Sequence, residues 1–142
     1  MKDICDYIDA HANEFVADLQ TFVQQPSISA QDIGLRECAT LIRDMMNCDG
    51  LTAEFHELEE GPPVVYGEVP SKSPKTLLCY SHYDVQPPEP IGTWTHGGPW
   101  SGAVVDGVLN GPAVRRITNR VSSRSTRPPK RFLLCAAKCP SV

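Results

Sequence analysis

Two side chains in the middle of the chain could do chemistry together. His82 and Asp84 lie near the end of the run Thr76-Leu77-Leu78-Cys79-Tyr80-Ser81-His82-Tyr83-Asp84-Val85-Gln86-Pro87-Pro88. Residues 76–81 are apolar and β-prone and predict a buried strand, and the two prolines stop the sheet from continuing. Residues two apart on a strand point to the same side. An imidazole and a carboxylate are therefore presented together at the carboxyl end of a strand, where open α/β sheets carry their chemistry. A neutral imidazole is a good zinc ligand, and a carboxylate beside it fixes its tautomer and raises its basicity. The same His-x-Asp pair also fits an ordinary hydrogen-bonded histidine, so the elements around it decide between the two.

Those elements belong to a chain of 142 residues, enough for one domain with a real core. The composition, 41% hydrophobic and 21% charged, is that of a globular protein. No apolar run reaches the length of a membrane span, and residues 1–23 are acidic and amphipathic rather than a basic start followed by an apolar block. Cytoplasm is the expected location. Cys38 and Cys79 sit in apolar patterns and read as small buried thiols, and all six cysteines are expected to be reduced. Cys135 and Cys139 have no second pair and no following histidine, which argues against a zinc site there.

The charge is divided unevenly. Residues 1–106 hold all 17 acids and five bases, a net −12; residues 107–142 hold eight bases and no acid, a net +8. A break that sharp places a boundary near residue 110. Residues 3–24 predict one amphipathic helix, capped by Asp3, with Ile4, Ile8, Phe15, Leu19, Phe22 and Val23 on one face and Pro26 as its stop. The segment Phe22-Val23-Gln24-Gln25-Pro26-Ser27-Ile28-Ser29 reads as a helix end followed by a connector. Residues 32–48 predict a second helix striped by Leu35, Ala39, Ile42 and Met46 and ended at Gly50. Strands are expected over residues 51–58, 63–69 and 76–81, with His56 on a solvated face among glutamates. Residues 86–111 form a long loop of a kind that usually carries function, with a hairpin over 102–109 turning at Asp106-Gly107. Two helices and then three strands imply helices covering a mixed sheet, an α/β fold. The tail from Pro112 is irregular and basic, and its Ser-, Arg- and Pro-rich stretch is expected to be disordered.

Taken together, several segments resemble the zinc-dependent exopeptidase and deacylase family of aminoacylases, glutamate carboxypeptidases and carnosinase-like dipeptidases. The resemblance rests on Phe22 to Ser29, on Leu78-Cys79-Tyr80-Ser81-His82-Tyr83-Asp84-Val85-Gln86-Pro87, on Trp94 with Pro99-Trp100, and on Val104-Val105-Asp106-Gly107-Val108-Leu109. It covers residues 1–111 and is closest to the dipeptidase-like branch. It implies a partial α/β/α catalytic domain in which His82 binds one of two zinc ions and Asp84 supports it from behind. The implied reaction is hydrolysis of the amide bond of a small peptide or N-acyl amino acid by a metal-activated water whose proton goes to a glutamate further along. It also implies a homodimer built through a smaller domain that is absent from residues 1–142.

After the hairpin the sequence leaves the family pattern. The family continues with Gly-Arg-Gly, an Asp bridging both metals, and Lys-Gly; counting from Asp106 puts that Asp at Arg116, whose guanidinium repels a dication. The glutamate pair, the later carboxylate and the last histidine of the family would lie beyond Val142. One imidazole does not hold a catalytic zinc, which needs about three protein ligands. The chain is therefore expected to be truncated after about residue 111 and inactive alone, with residues 112–142 a basic tail. A one-base slip near codon 112 would account together for the basic tail, the missing acids and the lost motif. The alternative is a nucleic-acid or acidic-partner binder acting through the eight bases of the tail. Against it, Phe132 is the tail's one aromatic for stacking, and no recognised binding motif is present.

Overall fold

The computed structural model describes residues 2–70, 72 and 76–112. Beyond Pro112 the predicted basic tail lies outside the described residues. Three α-helices lead the chain: α1 (Lys2–Ala10), α2 (Ala12–Gln24) and α3 (Leu35–Cys48). The expected first helix is thus two helices, and Asp3 sits inside the first turn of α1 rather than capping it. The break falls at His11. Its backbone N–H is shared between the carbonyls of Tyr7 (3.1 Å) and Ile8 (3.3 Å), its Nδ1 also meets the Tyr7 carbonyl at 2.8 Å, and its ring stacks on Tyr7 at 4.0 Å. The Tyr7 carbonyl there meets both the backbone N–H and the ring of His11.

The two ends of the apolar stripe have different fates. Val23 at the end of α2 is buried, whereas Ile4, Tyr7 and Ile8 on α1 are exposed, and α1 buries none of its residues. A 3₁₀ turn (Ser29–Gln31) then leads to α3. Asp32 (φ 53°) and Gly34 (φ 68°) are both left-handed. A Cβ on Gly34 would collide with the Pro26 carbonyl oxygen, so glycine is required on both counts. α3 ends at Asp49 with Gly50 (φ 83°) beyond it, the expected glycine stop.

β1 (Thr52–His56) and β2 (Val64–Glu68) pair antiparallel in the register Thr52 with Glu68 to His56 with Val64. They alternate as the sequence requires: Ala53 and Phe55 are half-buried, while Thr52, Glu54 and His56 face solvent. His56 Nε2 lies 3.4 Å from Glu54, on the solvated face expected for it. Helix α3 packs on this hairpin, with Arg36 and Arg43 of α3 lying over the Phe55 ring at 4.7 and 4.6 Å. The second hairpin, β3 (Val104–Val105) with β4 (Val108–Leu109), turns at Asp106-Gly107 as predicted.

Residues 76–81 are not a strand. Leu77, Leu78 and Tyr80 are 87%, 82% and 88% exposed, and Cys79 is exposed rather than buried. The physical reason is the missing neighbour. An apolar β-prone run becomes a strand only when an adjacent strand takes its N–H and C=O groups, and among the described residues none lies beside it. The sheets among the described residues are two separate antiparallel hairpins. The core proper is small: Val23, Ile28, Leu35, Cys38 and Ala39, with Ser27 buried among them. It lies where the end of α2, the 27–28 segment and the start of α3 meet, directly beneath residues 83–85.

Candidate metal centre

The segment that reads as a plain connector is what positions the histidine and aspartate. Ile28 sits in two isolated bridges at once, antiparallel to Ile33 and parallel to Val85. The first closes the loop before α3, with Ile28 N–H donating to the Ile33 carbonyl at 2.8 Å and Ile33 N–H returning to Ile28 at 3.2 Å. The second ties the loop to the site: Val85 N–H donates to the Ser27 carbonyl at 2.8 Å. The Ser27 hydroxyl donates to the Tyr83 carbonyl at 2.7 Å, and the Cys38 thiol approaches the same oxygen at 3.9 Å. Burial pushes the Cys38 thiol up from its ordinary value, outweighing the hydrogen bond from Ser27. The Tyr83 hydroxyl reaches the other way and donates to the Pro63 carbonyl, just before β2, at 2.7 Å. Tyr83 is thus held at both its main chain and its side chain, and its neighbours on either side are His82 and Asp84.

His82 Nδ1 lies 2.9 Å from the Asp84 carbonyl oxygen and 3.2 Å from Asp84 Oδ1. Both partners are acceptors, so Nδ1 carries the proton and Nε2 keeps its lone pair. The other carboxylate oxygen, Oδ2, accepts the Ser29 hydroxyl at 2.8 Å. That bond is the main reason the Asp84 carboxyl lies below its ordinary value; partial burial opposes it, and the nearby His82 ring adds to it. The His82 side chain is 60% exposed and that of Asp84 38%. The arrangement is therefore an imidazole whose inner nitrogen is engaged by a carboxylate and whose outer nitrogen can take a cation.

The long loop closes onto α2 rather than hanging free. Gln20 Nε2 donates to the Gly102 carbonyl at 2.8 Å and Gln24 Nε2 to the Ser101 carbonyl at 3.1 Å. Asn110 ties the hairpin across to the Ala103 carbonyl through both its backbone N–H (2.8 Å) and its side chain (3.1 Å). Gly111 is buried against Val23, where any Cβ would strike the valine side chain. The indole of Trp94 donates to the Pro88 carbonyl at 2.8 Å, closing the loop that follows Asp84.

His82 and Asp84 are brought together, but not at the end of a strand as expected: residues 76–84 form none, and the bonds of Tyr83, Asp84 and Val85 to Ser27 and Ser29 hold the pair instead. The sequence reading misses Ser29, Ser27 and Tyr83. The available signal is the pairing of two hydroxyl residues around one apolar residue in Ser27-Ile28-Ser29, followed by the glycine at 34. Among the described residues no group of three or more His, Cys, Asp or Glu side chains could hold a metal ion. The donor chemistry fits a single metal ligand, His82 Nε2, and does not complete a coordination sphere from the described residues.

No protein-family model matches the chain. Among curated proteins it is 34% identical over 111 residues to a Cys-Gly metallodipeptidase of Schizosaccharomyces pombe, covering 67% of this chain and 23% of that protein. It is 31% identical over 96 residues to a succinyl-diaminopimelate desuccinylase of Methylorubrum extorquens, covering 65% of this chain and 24% of that one. It is 29% identical over 127 residues to a mouse Beta-Ala-His dipeptidase, covering 78% of this chain and 26% of that protein. Among solved structures it superposes on an M20 family metallo-carboxypeptidase of Sulfolobus solfataricus with a TM-score of 0.63 and 35% identity, over 68% of this chain and 22% of that one. The chain belongs to the M20 metallopeptidase family. It spans about a quarter of the length of the curated relatives it matches. The α/β class expected from the sequence agrees with that of an M20 catalytic-domain fragment. No helix among the described residues is long and apolar enough to cross a membrane.

Proposed function

We propose that this chain carries the first metal-binding element of a di-zinc M20 hydrolase acting on the amide bond of a dipeptide or N-acyl amino acid, and that residues 1–142 are inactive alone. The observation that supports it is the His82–Asp84 pair, with Nδ1 engaged and Nε2 available, within a chain whose relatives are named as metallopeptidases and dipeptidases. In this reading His82 Nε2 is the zinc ligand. Asp84 holds the ring in the Nδ1–H tautomer. Bound zinc would supply Lewis-acid polarisation and a water of lowered pKa. The contribution of these residues is to orient one ligand, and among the described residues no group of three or more His, Cys, Asp or Glu side chains completes a metal site around it. The peptidase part is assigned to residues 1–111 and the basic tail to 112–142, and thiol cysteines (Cys5, Cys38, Cys48, Cys79) fit a cytoplasmic setting.

Two measurements test this reading. Equilibrium dialysis against zinc is expected to show only weak binding, as a single protein ligand gives, that His82→Ala lowers further; equal binding by the variant overturns the ligand assignment. Incubating the zinc-loaded chain with Cys-Gly or a β-Ala-His dipeptide is expected to give no hydrolysis. Zinc-dependent turnover that His82→Ala abolishes overturns the claim of inactivity.

A further inference from the structure

We propose that Ser29 is a positioning residue for His82, acting through the Asp84 carboxylate. The inference rests on the reading of His82 as a ligand only for its functional meaning; the geometry stands without it. A carboxylate on a single Cβ is free to rotate, and at 38% exposure water competes for both of its oxygens. Ser29 removes that freedom from one side. Its hydroxyl holds Oδ2 at 2.8 Å, which leaves Oδ1 facing His82 Nδ1 at 3.2 Å. Ser29 is itself held in place by its neighbours: the Ile28–Val85 bridge sets the two segments side by side, and Ser29 and Asp84 each lie one residue from that bridge. The bonds from Val85 to Ser27 and from Ser27 to Tyr83 lock the same pair of segments from the other side. An exposed serine-to-carboxylate bond gains little when its partners must first be ordered. Here the backbone pairing orders both partners in advance, so the hydroxyl can select one rotamer of the carboxylate and through it the tautomer of the ring.

The consequence is a chain of three groups with one direction of hydrogen bonding. Ser29 O–H donates to Asp84, and Asp84 accepts from His82 Nδ1–H. The lone pair is then left on Nε2, on a side chain that is 60% exposed. Without the hydroxyl the carboxylate can turn out to water. Nδ1–H then keeps only the Asp84 main-chain carbonyl at 2.9 Å, and the ring can exchange to the Nε2–H tautomer, in which the outer nitrogen cannot bind a cation.

The experiment is nitrogen–proton NMR of the full chain labelled at histidine, without metal, comparing wild type with Ser29→Thr and Ser29→Val. The two variants have the same shape and differ in the hydroxyl alone, and Ser29 is exposed, so neither disturbs the core. Wild type and Ser29→Thr are expected to show His82 with Nδ1 protonated. Ser29→Val is expected to move the Nδ1–H resonance upfield and to shift the ring population toward Nε2–H. Identical His82 spectra in the Thr and Val variants, or a wild-type ring already protonated on Nε2, overturn the proposal. Because no metal is present, failure of zinc binding in the dialysis experiment leaves this result standing, and the two ideas fail separately.

Discussion

The run from residue 76 to residue 85 divides into two halves that behave in opposite ways. Residues 76–81 are apolar, and Leu77, Leu78 and Tyr80 are almost fully exposed. Residues 83–85, shorter and more polar, are held by Ser27, Ser29, Cys38 and the Pro63 carbonyl. The difference shows that apolar character sets what a segment can become, while placed hydrogen-bond partners set what it is. The half with the strongest intrinsic strand preference is bare because no strand among the described residues lies beside it. The half that carries Asp84, next to His82, is ordered because a loop 55 residues earlier in the chain presents its hydroxyls to it.

The sharpest way to break this contrast is at Gly34. Gly34→Ala places a Cβ against the Pro26 carbonyl at a positive φ, one residue before the Ser27 anchor. A left-handed alanine costs about 1 kcal/mol by itself, and the collision adds to it, so a loss of roughly 2–4 kcal/mol is expected. Chemical denaturation checks this. The same variant should erase the His82–Asp84 hydrogen bond, making the two halves of the run alike. A smaller effect sharpens the comparison at its two thiols. Cys79 in the bare half should be alkylated by iodoacetamide well before buried Cys38, whose thiol is pushed up by burial; mass mapping of the labelled sites over time would show the order. Equal rates would mean that the anchored half opens as readily as the bare one.

The smallest effect is with acid. The folded chain holds the Asp84 carboxyl below its ordinary value, so its contribution is fully present above the unfolded carboxylate range and is lost as pH falls through the lower, folded value. Lowering the pH from 7 to 5 should therefore leave the anchor intact, with weakening confined to pH below about 4. Asp84→Asn should remove this part of the acid dependence. A wild-type chain whose anchor loosens between pH 7 and 5 would contradict the assignment.

What could be read in the sequence follows the same division. The β1 and β2 strands, the α3 stripe with its glycine stop and the Asp106-Gly107 turn are local patterns in which each residue's neighbours in sequence are its neighbours in space. The His82–Asp84 pair was legible for that reason as well, being two residues apart. Ser29 was not, because its partner lies far along the chain and a serine in a loop is ordinary. The strand expected over 76–81 misread preference as outcome: leucine and tyrosine suit a sheet, yet a strand needs a second strand to exist. The helix break at His11 was hidden because no proline or glycine marks it; the histidine ring there meets the Tyr7 carbonyl.

The most direct test of the central claim is a zinc titration of the histidine-labelled chain followed at all four imidazoles, His11, His56, His82 and His96. The account predicts that His82 alone responds, through Nε2, while its Nδ1 proton stays on the Asp84 side. Zinc that moves His11 or His56 as much as His82, or that leaves His82 unmoved, would contradict it.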